Sequence, residues 1–391
     1  MPEFDFTRSI AACAAHYGDE AEAVEKYMQD GQAKALALSN RGPIRFNQDG
    51  ALHEDIVDAY STYGFYVFEG VIGTQELADI TEDYTELRER FPTDPHSKLD
   101  AQGRPAIGLG GEAQGLTWCK PLSDPLGGTR AANGRHQVKL KELEAANDAP
   151  EMAPFVLFGS LLCSEAALRT YGHPELLRVA ESINGEDFAP FNEVLFIKDL
   201  GIGAAVSWHQ DGDTHWDNPD FEENIHGFNF MAQIFGSSPV NGVWVVPGTH
   251  KMGKMDITKM VEESGSERLK DAIPLICAPG DVVMCNRQLV HGSFANSGFE
   301  PRLTVNFGFH KRSSVLGVKG AGIHSPVAVF DEEIIKERSK VIGYAIDARR
   351  NKYPDEQVYK YKPFQDSGET YVWNAAAKKG LKDYNLLDLS I

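Results

Sequence analysis

Apolar and polar positions change their period part-way along this chain. Residues 9–38 form an alanine-rich, proline-free stretch with apolar side chains at mixed spacings of three and four. This predicts a helix that ends at the breaker cluster Ser39-Asn40-Arg41-Gly42-Pro43. Residues 53–62 predict a second helix, and 64–72, rich in aromatic and β-branched residues, a strand. Residues 74–91 then place Leu77, Ile80, Tyr84 and Leu87 on one helical face. From 92 to 152 the pattern dissolves into glycine pairs at 110–111 and 127–128 with scattered proline. So long an irregular stretch predicts a lid or binding loops. Residues 164–183 return to helical spacing.

Beyond them the period shortens to that of strands. The clearest are 193–200, 204–209, 228–236, 242–248, 281–286 and 302–310, with turn residues between them, before a helical and polar tail from about 326 to 391. Helices followed by a run of strands predict an α+β fold with a mainly β core, a helix-buttressed antiparallel double sheet or barrel. Residues 1–50 read as an N-terminal helical extension, suited to packing or an oligomer surface rather than catalysis. Residues 51–391 read as the main domain.

Composition narrows the partners. With 391 residues, 42% hydrophobic and 24% charged, the chain is an ordinary globular sequence able to bury a large core. Its 57 acidic against 38 basic side chains give a formal charge of −19, which argues against nucleic acid or an anionic membrane as main partner. The five cysteines are scattered, and none forms a Cys-x-x-Cys pair, as expected for reduced thiols in the cytoplasm. The first twenty residues carry acids and no long apolar run, so neither a signal peptide nor an anchor is expected. No 18-residue apolar stretch appears anywhere.

The chemistry concentrates in His209-Gln210-Asp211, His291 and Arg302. A bare His-x-Asp tripeptide is weak evidence, because His53-Glu54-Asp55 and His215-Trp216-Asp217 match it too. Context separates them. His209 ends a strand, where residues i and i+2 share a face and can converge on one ion. His53 opens a helix, where i and i+2 diverge by roughly 200°. His291 follows a strand entered through Pro279-Gly280-Asp281, and Arg302 opens the next one with Thr304 on its face. Two histidines and a carboxylate are the protein ligand set of non-haem Fe(II), and arginine offers a planar fork for a carboxylate. His250 is read as structural, the ligand set being complete without it.

Two other classes use similar residues. A metal-dependent hydrolase would not need Arg302 and would be expected to show a His-Glu-x-x-His helix, which is absent. A non-catalytic metal-binding protein would tolerate losses in this set, and none is seen. No phosphate-binding loop occurs, and Gly201-Ile202-Gly203 lacks the third glycine of a dinucleotide fingerprint.

These residues and others nearby resemble the phytanoyl-CoA dioxygenase-type group of Fe(II)/2-oxoglutarate oxygenases. The likeness runs through residues 64–72, Trp208-His209-Gln210-Asp211, the block from Asn241 to His250, Pro279-Gly280-Asp281, and His291-Gly292-Ser293 leading to Arg302. It implies a double-stranded β-helix (jelly roll, cupin-like) with its core at about 190–312. It implies iron ligands His209, Asp211 and His291. It also implies 2-oxoglutarate and O2 as co-substrates, with Arg302, Ser293, Thr304 and Lys198 around the 2-oxoglutarate. The expected reaction is hydroxylation of an unactivated C–H bond with release of succinate and CO2. Desaturation or ring formation stays open, whereas Asp211 in the carboxylate position disfavours halide transfer. Asn192, Thr214, His215 and Trp216 are substrate-contact candidates, and Trp118-Cys119-Lys120 is a polar and aromatic cluster within the irregular region. A small molecule is the expected substrate, and the acidic balance makes a CoA ester less attractive. Monomer and homo-oligomer are both compatible with the sequence.

Overall fold

Eight short strands carry the core: β1 (Val194–Lys198), β2 (Val206–His209), β3 (Gly227–Gln233), β4 (Trp244–Val245), β5 (Ile273–Pro274), β6 (Val282–Asn286), β7 (His291–Ser293) and β8 (Arg302–His310). They are seen in a computed structural model that describes residues 4–107, 115–190, 193–211, 227–320 and 328–381. The larger sheet contains β6-β3-β8-β1, the smaller sheet β5-β4-β7-β2, and every neighbouring pair among these eight is antiparallel. In chain order the strands switch sheets repeatedly: β1, β3, β6 and β8 lie in the larger and β2, β4, β5 and β7 in the smaller. That alternation winds the chain as a double-stranded β-helix, so two sheets face each other across a shared interior.

The larger sheet is buried on both faces, and polarity tells the faces apart where burial does not. In β8, Leu303, Val305, Phe307 and Phe309 point to the helical side while Arg302, Thr304 and Asn306 line the interior cavity. The same two-residue period puts Phe228, Phe230 and Ala232 of β3 against the helices and Asn229 and Met231 towards the cavity. The apolar face is covered by α3 (Glu54–Tyr63), α4 (Thr74–Glu89), α5 (Glu165–Tyr171), α6 (Pro174–Asn184) and α7 (Glu332–Lys352). Phe228 and Phe230 meet edge to face at 4.7 Å and 69°. Burying each such ring stabilises the fold by about 1.5–3 kcal/mol. Arg349 of α7 bridges to Glu76 of α4 at 2.8 and 3.2 Å, tying the late helix to the early one.

The outer face of the smaller sheet is covered by the chain's first helices, numbered apart as αA (Thr7–Ala15) and αB (Ala21–Ala37). Tyr27 stacks on Trp244 at 4.6 Å and 9°. The single helix expected over 9–38 is corrected here, because the chain breaks at Gly18, which takes φ +60°. A straight helix cannot hold that left-handed residue, and the break lets both segments lie on the sheet. The helix expected at 164–183 also divides, at Gly172-His173, because Pro174 restricts the residue before it and begins α6. The irregular region is partly corrected too. Gly115–Cys119 pairs with Ala153–Phe158, and together they extend the larger sheet beyond β1. The strand expected at 242–248 shortens to Trp244–Val245, ahead of the Pro247-Gly248 turn. Among the described residues, no helix is long and apolar enough to cross a membrane.

Candidate metal centre

Antiparallel pairing of β2 with β7 sets His291 directly opposite His209. The chain leaves β2 and brings Asp211 to the same point, its N–H donating to the Arg287 carbonyl at 2.7 Å. All three side chains are buried, and their ligand atoms lie within 4.8 Å of one another. His209 Nε2 is 3.5 Å from Asp211 Oδ1, and His291 Nε2 is 4.0 Å from Asp211 Oδ2. Among the described residues no other group of histidine, cysteine and carboxylate side chains converges in this way.

Each histidine is oriented by its own strand. Nδ1 of His209 lies 2.8 Å from the Ser207 carbonyl, and Nδ1 of His291 lies 2.8 Å from the Leu289 carbonyl. A carbonyl can only accept, so Nδ1 carries the proton and Nε2 presents its lone pair to the centre. Burial, helped by His291, His136 and Arg135, pushes the His209 ring well below its ordinary value and keeps it neutral. Burial alone would raise the Asp211 carboxyl, but Arg135, His291 and Arg287 outweigh it and hold the group below its usual range. A neutral imidazole and an ionised carboxylate are the forms that bind metal.

Asp211 is held by residues that the sequence did not single out. Asn229 donates Nδ2–H to Oδ2 at 3.0 Å, Arg135 reaches Oδ1 at 3.2 Å, and Arg287 lies 3.9 Å from Oδ2. His136 packs against the His209 ring at 4.3 Å between centroids, tilted by 39°. Asn229 had a readable signal, being a polar residue at a two-residue period within an otherwise aromatic strand. Arg135 and His136 come from the irregular region, where no period exists to read.

The other end of the centre is cationic. Arg302 sits on β8 across from Lys198 on β1. Burial lowers the Arg302 guanidinium to about 10, and its Nε and Nη1 have no hydrogen-bond partner among the described residues. Lys198 donates to Ser293 Oγ at 2.9 Å and to the Phe294 carbonyl. Burial, reinforced by Arg302, pushes its ammonium well below the ordinary value. Thr304 donates to Gln233 Oε1 at 2.9 Å. A buried guanidinium with unmade hydrogen bonds is costly unless an anion completes it. Arg302 therefore fits the distal carboxylate of 2-oxoglutarate, and the two imidazoles with one carboxylate fit Fe(II).

A cavity of about 290 Å³ joins the two ends. His209, Asp211, His291, Ser293, Arg302 and Thr304 all line it, with Lys198 behind Ser293. Trp118 faces the same space, whereas Lys120 of its cluster is exposed. Asn192, Thr214, His215 and Trp216 lie outside the described residues. His53 caps α3, its Nδ1 accepting the Asp55 N–H at 3.3 Å. His250 is buried with Nε2 3.0 Å from the Ser61 carbonyl, a structural contact apart from the triad.

Several solved structures are similar to this chain at low identity. EctD from S. alaskensis, solved with 2-oxoglutarate and 5-hydroxyectoine, is 19% identical, with 70% of this chain and 81% of that one covered at TM-score 0.47. The non-heme alpha ketoglutarate dependent epimerase SnoN from nogalamycin biosynthesis is 16% identical, with coverage of 66% and 82% at TM-score 0.43. AviO1 from Streptomyces viridochromogenes Tue57 is 18% identical, with coverage of 68% and 96% at TM-score 0.42. No curated protein matches the chain. The sequence model of phytanoyl-CoA dioxygenase (PhyH) matches residues 60–304, more than half of the chain and the part that holds the triad and Arg302. The chain belongs to the phytanoyl-CoA dioxygenase family of Fe(II)- and 2-oxoglutarate-dependent oxygenases.

Proposed function

We propose that this protein hydroxylates an unactivated C–H bond of a small molecule, with His209, Asp211 and His291 as iron ligands and Arg302 as the 2-oxoglutarate anchor. The observation that carries this reading is the pairing, in one buried cavity, of the converged triad with the unsatisfied guanidinium of Arg302. Bound Fe(II) with 2-oxoglutarate and O2 supplies the oxidising power, leaving succinate and CO2.

The chain's own contribution is placement. Ser207 and Leu289 carbonyls fix the two rings, while Asn229, Arg135 and Arg287 fix the carboxylate. Arg302 would hold the distal carboxylate of 2-oxoglutarate, with Ser293 and Thr304 as the polar wall beside it and Lys198 behind Ser293. Phe155, Phe158 and Phe196 make the remaining wall apolar and exclude water. Residues 51–391 form the oxygenase domain in this reading, with residues 1–50 as an extension bracing the smaller sheet. The five free thiols suit the cytoplasm.

Succinate release from 2-oxoglutarate, with Fe(II) reconstituted anaerobically before O2 is admitted, tests the reading. Asp211→Ala should lower that turnover and bound iron by at least about 100-fold, following the loss of a ligand. Full activity in the variant sinks the assignment. Product mass separates hydroxylation, which adds one oxygen atom, from desaturation or ring closure, which removes two hydrogens.

A further inference from the structure

Arg135 is the second guanidinium among the described residues that line the cavity, and beside its ion pair with Asp211 its Nε has no hydrogen-bond partner among them. We infer that Arg135 anchors a carboxylate of the primary substrate, which is therefore a small organic acid with an apolar or aromatic body. This rests on the function proposed above and names the substrate class for that same site.

The first support is location. Arg135 and Arg302 both line the cavity, but Arg135 stands at the triad, 3.2 Å from Asp211, and Arg302 stands at the co-substrate end. One guanidinium serves 2-oxoglutarate, and the other faces the space where a second molecule must lie for its C–H bond to reach the metal.

The second support is construction, because the loop carrying Arg135 is pinned. Buried Asp124 accepts from the Gly127 N–H at 3.1 Å and the Leu140 N–H at 2.8 Å, spanning the loop's two stems. A Cβ at Gly127 would collide with that carboxylate, so the stem is as tight as it can be. The Gly128 N–H donates to the His136 carbonyl at 2.9 Å. Nδ1 of His136 lies 3.2 Å from the Ser207 carbonyl while its ring packs against His209. Arg135 is thereby presented on a preorganised support, which lowers the cost of binding.

The third support is charge. Among the described residues that line the cavity, Arg135 and Arg302 are the two guanidiniums and Asp211 the one carboxylate. With a dication on the triad and 2-oxoglutarate as a dianion, that described lining carries one excess positive charge. A substrate carboxylate would offset it. Trp118, Leu126, Phe155, Phe158, Phe196 and Met231 make most of the remaining described wall apolar, with Thr117 and Asn306 as polar members, and such a wall suits an apolar body. Arginine suits this task better than lysine because its planar fork meets both carboxylate oxygens.

The test uses the full chain under argon with Fe(II) and saturating 2-oxoglutarate, titrated calorimetrically with 3-phenylpropanoate and 4-phenylbutanoate and with their primary amides. Wild-type protein should bind each acid at least about tenfold more tightly than its amide, the size expected for a charge-assisted pair. Arg135→Gln should reduce that preference to under about twofold, and Arg135→Lys should retain part of it, each variant compared at its own saturating Fe(II) and 2-oxoglutarate. The anchor is overturned if wild-type protein binds acid and amide alike or binds none of the acids. It is equally overturned if Arg135→Gln keeps the wild-type preference for acid over amide. Wild-type protein that takes up no 2-oxoglutarate overturns the underlying function as well.

Discussion

Arg302→Met should make the ligand-free protein more stable and, in the same stroke, unable to hold 2-oxoglutarate. The reasoning starts from burial. The guanidinium is enclosed beside Lys198, two of its nitrogens lack partners among the described residues, and burial lowers it from its ordinary value to about 10. At about 1.4 kcal/mol for each unit, carrying that charge costs the fold on the order of 3 kcal/mol. A cation whose folded value lies below its unfolded value bears this penalty in full at neutral pH, and sheds it only as pH rises above about 10 towards the ordinary arginine value. Methionine keeps the length of the stem and removes the charge, at a repacking cost of roughly 1.5 kcal/mol or less. The expected net gain is about 1–2 kcal/mol in urea unfolding at pH 7.5, unchanged between pH 6 and 9. On the binding side, two charge-assisted hydrogen bonds at about 1.5–3 kcal/mol each are lost, so 2-oxoglutarate affinity should fall at least about 100-fold. Tryptophan fluorescence follows both, by urea titration without ligand and again with 2-oxoglutarate. At a hundred times its dissociation constant, 2-oxoglutarate should add about 2.7 kcal/mol to the wild type and nothing to the variant. A variant less stable than wild type that is still protected by 2-oxoglutarate would refute the reasoning and make Arg302 a structural residue.

Gly31→Ala in αB ordinarily stabilises a helix by about 1 kcal/mol, but here a Cβ would come within 2.6 Å of the Trp244 ring. Urea unfolding should show a loss of about 1–3 kcal/mol, and a gain would mean that αB does not pack there. His173 is pushed down to about 3 by burial, with Arg349 adding to the effect. Since its folded value lies below its unfolded one, its contribution is complete above about 6.5 and is lost as pH falls from there towards 3. The wild type should therefore take up about one more proton on unfolding at pH 4–6 than His173→Gln does, seen as a steeper dependence of unfolding free energy on pH. Equal slopes would contradict this. Asn229→Leu removes the Nδ2 donor from Asp211, and iron affinity measured by competition with a chelator should weaken about 10- to 100-fold.

The ligand triad and Arg302 were legible because strands write their chemistry at a period of two. His209 and Asp211 stand two apart at a strand end, Arg302 and Thr304 stand two apart at a strand start, and burial of the intervening Leu303 follows from the same alternation. The number of core strands was less legible. β5 has two residues and β7 three, too few for any pattern to repeat, and they exist because neighbouring strands offer them hydrogen bonds. The N-terminal helices read as one because helical spacing runs across Gly18, and only the outer face of the smaller sheet requires the break.

By itself, then, the amino-acid order singled out the three side chains that converge as a ligand set and the buried guanidinium across the cavity from them, since local periodicity sets the face of each strand. Tertiary structure alone decided what surrounds Asp211. Asn229 comes from β3, Arg287 from the turn after β6, and Arg135 with His136 from a loop of irregular chain. Those four converge through sheet pairing and a pinned loop, over sequence distances that no local pattern spans, and the charge balance of the cavity is their joint product.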